Sequence, residues 1–194
     1  HITAGKVPTY RDGRWVEVPG LSEKEEVEFP DPVGVVPVYH AGHPEPVTLP
    51  RFIDAWYVAC KGGLIPPELV TVTRIVEATG AASTPGRIRI TSKLILPLLP
   101  VLSKIGGKTP GITGSRVDVE GEKDGGPAKV SYGIAIRVGP TTGSSAAVGA
   151  QMIAAGEVTH HGVLPPEACV DTDRYFAEMA KRGLQVIEME RTGL

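Results

Sequence analysis

GPTTGSSAAVGAQMIAAGEV (residues 139–158) and GVLPPEACVDTDRYFAEMAKRGLQVIEME (residues 162–190) decide how this chain is read. The first stretch predicts a glycine-flanked polar turn over 139–145 that feeds a helix. Ala146, Ala147, Gly149, Ala150 and Ala154 give that helix a small face to which another backbone can approach closely, and Gly156 is placed to end it. In the second stretch Pro165 and Pro166 fix an extended approach, and Asp171 supplies an N-cap. Tyr175, Phe176, Met179 and Ala180 then fall at helical spacing, and Gly183 stops the helix before a strand over 184–189.

Working outward, strands are expected over 116–122 and 128–138, joined by the turn KDGGP (123–127), the clearest hairpin signal in the chain. Short half-exposed strands are expected over 14–18 and 26–29, and more buried ones over 33–40 and 55–61. Pro66 and Pro67 are expected to open a helix with Leu69, Val72, Ile75 and Val76 on one face and Gly80 beyond its end. Arg87 and Arg89 flank Ile88 on an expected strand, and a helix with two proline interruptions is expected over 94–104. Adjacent strands of this kind pair antiparallel. The predicted class is therefore α+β (α/β), a mixed, largely antiparallel sheet with helices on one face.

A chain of 194 residues with 41% apolar content can bury a core, and its length fits one domain over 1–194. Gly (24) and Pro (18) are spread along the sequence, so they predict many short elements and not disorder. The net charge of −2, with both signs interspersed, argues against a nucleic-acid surface or a polybasic membrane patch. The longest apolar run, around 94–102, is broken by Pro97 and Pro100 and is too short to span a bilayer. Two cysteines far apart, Cys60 and Cys169, with no signal-peptide pattern, make a reducing cytoplasm the expected compartment.

The order helix, GVLPPEACVD (162–171), helix, RGLQV (182–186) resembles the carboxyl-terminal domain of the saccharopine dehydrogenase family, including its lysine 6-dehydrogenase-like members. GRWVEVPGLSEKEEVEFPDPVG (13–34) is similar to the segment by which those enzymes enter their second domain, so residues 1–32 are expected to lead into it. PVYHAGHPEPVTLPRF (37–52) is similar to the family's polar loop facing the substrate cleft. The resemblance implies a substrate-binding and dimerisation domain of an NAD(P)-dependent oxidoreductase acting on an amine or imine carbon of an amino acid such as lysine or saccharopine. It also implies a homodimer. Such enzymes open with a Rossmann domain, yet no strand, GxGxxG turn, helix and later acidic residue occur here. GGKTPGITG (106–114) fits neither that spacing nor a P-loop and is expected to be a loop. NAD or NADP is therefore expected in a complete enzyme and not on this chain alone. A non-catalytic oligomerisation or binding module that kept the fold is the alternative.

The densest cluster of functional side chains is Tyr39, His40, Gly42, His43, Glu45 and Thr48, with Pro44, Pro46 and Pro50 stiffening it. An amino-acid substrate needs donors for its carboxylate, which His40, His43 and Thr48 can supply. It needs an acceptor for its ammonium group, which Glu45 can supply. A rigid surface loop is the competing reading. Thr142 and Ser144, with Thr141 and Ser145, lie at the expected helix start, where free amides and hydroxyls could bind a carboxylate or serve only as caps. Lys61, Arg87 and Arg89 are further cationic candidates. The spacing of His40, His43, Glu45, His160 and His161 matches no standard metal motif. Adjacent histidines on a strand would point to opposite faces, one packed and one solvated, so no metal ligand is assigned. No catalytic residue is assigned either.

Overall fold

Asp12 and Gly13 both take positive φ, 53° and 70°, so a two-residue turn reverses the chain between β1 (Lys6–Arg11) and β2 (Arg14–Pro19), closed by the Arg11↔Arg14 pair. The computed structural model describes residues 5–64, 68–81, 83–98, 100 and 111–193. They divide into two units, His1–Val27 with Val35–Pro110 and Glu28–Gly34 with Gly111–Leu194.

In the first unit, β5 (Tyr57–Val58) joins β1 on the edge away from β2, giving the order β2-β1-β5. A second sheet has the order β3-β4-β6, from β3 (Glu25–Phe29), β4 (Gly34–His40) and β6 (Lys61–Gly62). The single buried strand expected over 55–61 is thus corrected to two short pieces in different sheets. Tyr57–Val58 pairs with β1 and Lys61–Gly62 with β4, and Trp56 is 71% exposed. The apolar run AWYVAC satisfied a strand pattern without revealing that its partner changes midway.

Between β4 and β5 lie α1 (Glu45–Thr48) and a 3-10 turn, Leu49–Arg51. α2 (Glu68–Ala78) and α3 (Pro85–Ile95) follow; Pro66 and Pro67, expected to open α2, lie outside the described residues. Leu21, Tyr39 and Val70 form the local core, with Leu64 against it. The expected apolar face of α2 is rolled. Val70 is buried and Ile75 exposed, because Arg74, one turn after Val70, stacks 5.2 Å over the Tyr39 ring and donates to Leu21 O at 2.9 Å.

Arg87 and Arg89 belong to α3 and not to a strand. Thr84 caps the helix by accepting from Arg87 N at 3.3 Å, and Pro85 occupies its first turn. At roughly 100° per residue the two arginines point to different sides. α3 ends at Ile95 and a 3-10 turn, Leu96–Leu98, follows, so the helix expected over 94–104 begins earlier, at Pro85; 99 and 101–104 lie outside the described residues.

In the second unit β7 (Ile112–Lys123) and β8 (Gly126–Arg137) pair along their whole length, and β9 (Ile187–Thr192) adds to β8. Asp124 and Gly125, at φ 53° and 81°, make the turn. Of the loop expected over 106–114, residues 112–114 are strand and 106–110 lie outside the described residues.

The segment 28–34 lies directly on this hairpin. A Cβ on Gly114 would meet Phe29 Cβ at 2.8 Å, and one on Gly133 would meet Pro30 Cγ at 2.7 Å. Glycine is what admits the approach.

β8 runs straight into α4 (Val138–Ala154), so 139–145 is helix and not a turn. Pro140 fits because a first-turn amide has no intrahelical acceptor. Val148 and Met152 of α4 pack on Met179 of α5 (Thr172–Lys181). The small face expected on α4 is mostly exposed, Ala146, Ala147, Ala150 and Ala154 among it. Asp171 caps α5 by accepting from Arg174 N at 2.8 Å. At the other end Leu184 N donates to Met179 O and Gly183 N to Ala180 O, a Schellman cap with Leu184 against the core. The cap uses Leu184, which is why β9 begins at Ile187 and not at 184.

The fold class is α+β, with three small antiparallel sheets and, among the described residues, five α-helices. The one continuous sheet expected from the sequence is replaced by three of three strands each, since the short strands of the first unit change partners instead of extending one ladder.

Candidate functional site

The strand period of two places Val7, Thr9 and Arg11 on one face of β1, and Val7 and Thr9 are buried. His40, at the end of β4, is fully buried beside them. Its Nδ1 lies 3.4 Å from Thr9 Oγ1 and its Nε2 lies 3.1 Å from Glu23 Oε2. Arg11 Nη2 donates to both oxygens of the same carboxylate, at 3.0 and 2.9 Å, and its guanidinium lies 5.8 Å from the Tyr57 ring centroid. The hydrogen bonds from His40 and then Arg11 hold the Glu23 carboxyl below the ordinary glutamate value.

This geometry depends on backbone that non-glycine residues rarely adopt. Leu21 and Glu23 take φ of 55° and 50°, at a cost of order 1–3 kcal/mol each. Two main-chain bonds with His40 hold them there, Leu21 N to His40 O at 3.0 Å and His40 N to Ser22 O at 3.1 Å.

Past Ala41, which is still buried, the chain leaves the sheet and His43, Pro44 and Glu45 are exposed. Ala41 N donates to Cys60 O at 3.0 Å, which extends the β4–β6 register by one step and brings Cys60 beside the loop. α1 is fixed from beneath by Trp15 Nε1, which donates to Pro46 O at 2.9 Å, and Pro46 itself is buried. Thr48 Oγ1 donates to Pro44 O at 3.3 Å, so this hydroxyl braces the turn. His43 and Glu45 are exposed, with His43 Nδ1 3.7 Å from Glu45 Oε2. One ligand atom from each of His43, Glu45 and Cys60 lies within 4.8 Å of the others. Burial, with the nearby Glu45 carboxylate adding to it, pushes the Cys60 thiol up to about 11.

The structure therefore brings together His43, Glu45 and Thr48 on one short segment, and buries His40 with both ring nitrogens on protein partners, Thr9 and Glu23. Thr142 and Ser144 sit in α4, in the second unit. Because that helix begins at Val138, their amides are inside its hydrogen-bond ladder and not at its open end. Ser145 Oγ is 2.7 Å from Tyr175 Oη, a packing bond between α4 and α5.

His160 and His161 are both exposed in irregular backbone, so the expected division between two faces of a strand is corrected. Lys61 is paired with Glu25 at 3.0 Å. Arg87 donates to Gly80 O and Ser83 Oγ, both at 3.2 Å.

Sequence reasoning missed Thr9, Arg11, Glu23 and Cys60. The alternation Val7, Thr9, Arg11 before the Asp-Gly turn is a strand signal that would have found the first two. Cys60 carries no local signal, because it reaches the loop only through the β4–β6 pairing. No helix among the described residues is long and apolar enough to cross a membrane. No protein-family model matches the chain.

Proposed function

We propose that the chain is the substrate-binding and dimerisation domain of a saccharopine dehydrogenase-like, NAD(P)-dependent oxidoreductase of cytoplasmic amino-acid metabolism, acting on the amine or imine carbon of a substrate such as lysine or saccharopine. The observation that supports it is the His43–Glu45 pair, exposed at 3.7 Å on a segment that Pro44, Pro46 and the Trp15 bond hold in place. An imidazole that can donate and a carboxylate that can accept, side by side on stiff backbone, suit the two charged ends of an amino acid. His40, Thr9, Glu23 and Arg11 would act as the support beneath that surface.

The dinucleotide part of this reading is carried by the sequence, which holds no GxGxxG turn between a strand and a helix. The nicotinamide would be held by a separate dinucleotide-binding domain.

Dimerisation finds support in the second unit. Val117 and Val119, two apart on β7 and so on one face, are 59% and 56% exposed, and Tyr132 opposite Val117 extends the same apolar row. The direct test of the substrate reading is amide chemical-shift mapping with lysine and with saccharopine. Shifts confined to residues 40–48 and their supports are expected; a saturating titration that leaves His43 and Glu45 unmoved would sink it.

A further inference from the structure

We infer that His43, Glu45 and Cys60 form a three-ligand site for a divalent ion of zinc's class, with a fourth position open to solvent. The inference does not rest on the oxidoreductase reading, since it needs only three side chains and an ion.

The geometry is close to what such an ion requires. Metal bonds of roughly 2.0 Å to nitrogen and oxygen and 2.3 Å to sulfur, at tetrahedral angles, put ligand atoms about 3.3 to 3.6 Å apart. His43 Nδ1 and Glu45 Oε2 are already at 3.7 Å, and all three ligand atoms lie within 4.8 Å of one another. The remaining gap is within reach of small side-chain rotations, because His43 and Glu45 are exposed and free to turn.

What is held still is the backbone. Cys60 is fixed by the Ala41 N bond and by its position before β6, Glu45 by the Trp15–Pro46 bond, and His43 by Pro44 and its two turn bonds from Val47 and Thr48 amides. Three ligands anchored at three separate points form a preorganised site rather than a chance surface cluster.

The donor set decides the class of ion. One imidazole nitrogen, one carboxylate oxygen and one sulfur match zinc or cobalt(II), whereas magnesium and calcium take oxygen ligands. As the ion binds, the Cys60 S–H bond breaks, the proton leaves to solvent and the sulfur–metal bond forms. Three protein ligands leave a coordination position for water or for an anionic or amine ligand. Any such ligand would arrive on the solvent side, where His43 and Glu45 are exposed.

The test uses the 194-residue chain stripped with a chelator and titrated with cobalt(II) alone, then with zinc in competition. One equivalent should bind, with the intense visible bands of a tetrahedral site and a near-ultraviolet thiolate-to-cobalt band. Cys60→Ser should abolish that band and Cys169→Ser should leave it. His43→Gln and Glu45→Gln alter exposed side chains, so they should keep the native circular dichroism. Each should weaken zinc by more than the roughly 10- to 100-fold that loss of an outer-shell partner costs. The inference is overturned by the absence of stoichiometric cobalt binding, by a thiolate band that follows Cys169, or by zinc affinity unchanged in both glutamine variants.

Discussion

His40 Nε2 and Glu23 Oε2 are 3.1 Å apart, and the first is fully buried while the second belongs to a half-exposed carboxylate. The pair is therefore a buried imidazole whose outer nitrogen depends on one surface residue. Glu23→Ala should destabilise the chain by about 1–3 kcal/mol, the cost of leaving a buried polar group without its partner. Glu23→Gln isolates the charge. The folded carboxyl titrates below its unfolded value, so its contribution is full above about pH 4.3 and is lost as pH falls through the lowered folded value. Denaturant melts of parent and Glu23→Gln should differ by about 1 kcal/mol at pH 7, allowing for solvent screening, and converge in acid. A gap that persists at low pH would show that the carboxylate's charge is not what matters.

Gly133 faces Pro30 so closely that an added methyl would sit 2.7 Å from its ring. Gly133→Ala should cost about 1–3 kcal/mol by overpacking. Gly121→Ala, on the same hairpin but with nothing within 4 Å of the new methyl, should be neutral or stabilising. Calorimetric melting of the two variants side by side checks this, and equal melting temperatures would contradict it.

The chain alone should bind neither NAD nor NADP at micromolar concentration, because its sequence holds no GxGxxG turn between a strand and a helix. Isothermal titration giving tight, one-to-one cofactor binding would overturn the division of labour proposed above.

If the Val117–Val119 face mediates dimerisation, the chain should run as a dimer in light scattering at about tens of micromolar, and Val119→Lys should shift it to monomer without loss of secondary structure. A parent that is already monomeric there would remove the sheet face from the proposal.

If the proposed oxidoreductase reading holds, the chain joined to a dinucleotide-binding domain should lose about 10- to 150-fold in kcat/KM on His43→Ala or Glu45→Ala, the worth of a charge-assisted contact. Its melting temperature should barely move, since both side chains are exposed. Wild-type kinetics in both variants would reduce residues 40–48 to a connector.

What was legible in the sequence is what local chemistry encodes. The hairpin around Asp124–Gly125, the Asp171 cap and the Gly183 stop are each set by residues within a few positions of one another, and each is found. The same Asp-Gly signal at 12–13 was passed over, and with it β1 and the Thr9–Arg11 half of the His40 network. RIRI at 87–90 alternates like a strand, yet Thr84 and Pro85 upstream begin a helix there, so the cap outweighed the alternation. The loop over 40–48 was readable as a cluster of functional side chains. Its third candidate ligand and its buried supports were not, because pairing between distant segments brings them there and spacing along the chain does not record it.

The six residues Tyr57–Gly62 are fastened at one end to β1 and at the other to β4, with Cys60 in the span between. Mechanically this is a tie rod between two sheets. Slippage of either anchor would carry the sulfur with it, so whatever Cys60 holds senses the registry of both sheets at once. A ligand gripping that sulfur would in turn lock the tie, and the amides of β5 and β6 would be expected to slow their hydrogen exchange together, although the two strands belong to different sheets.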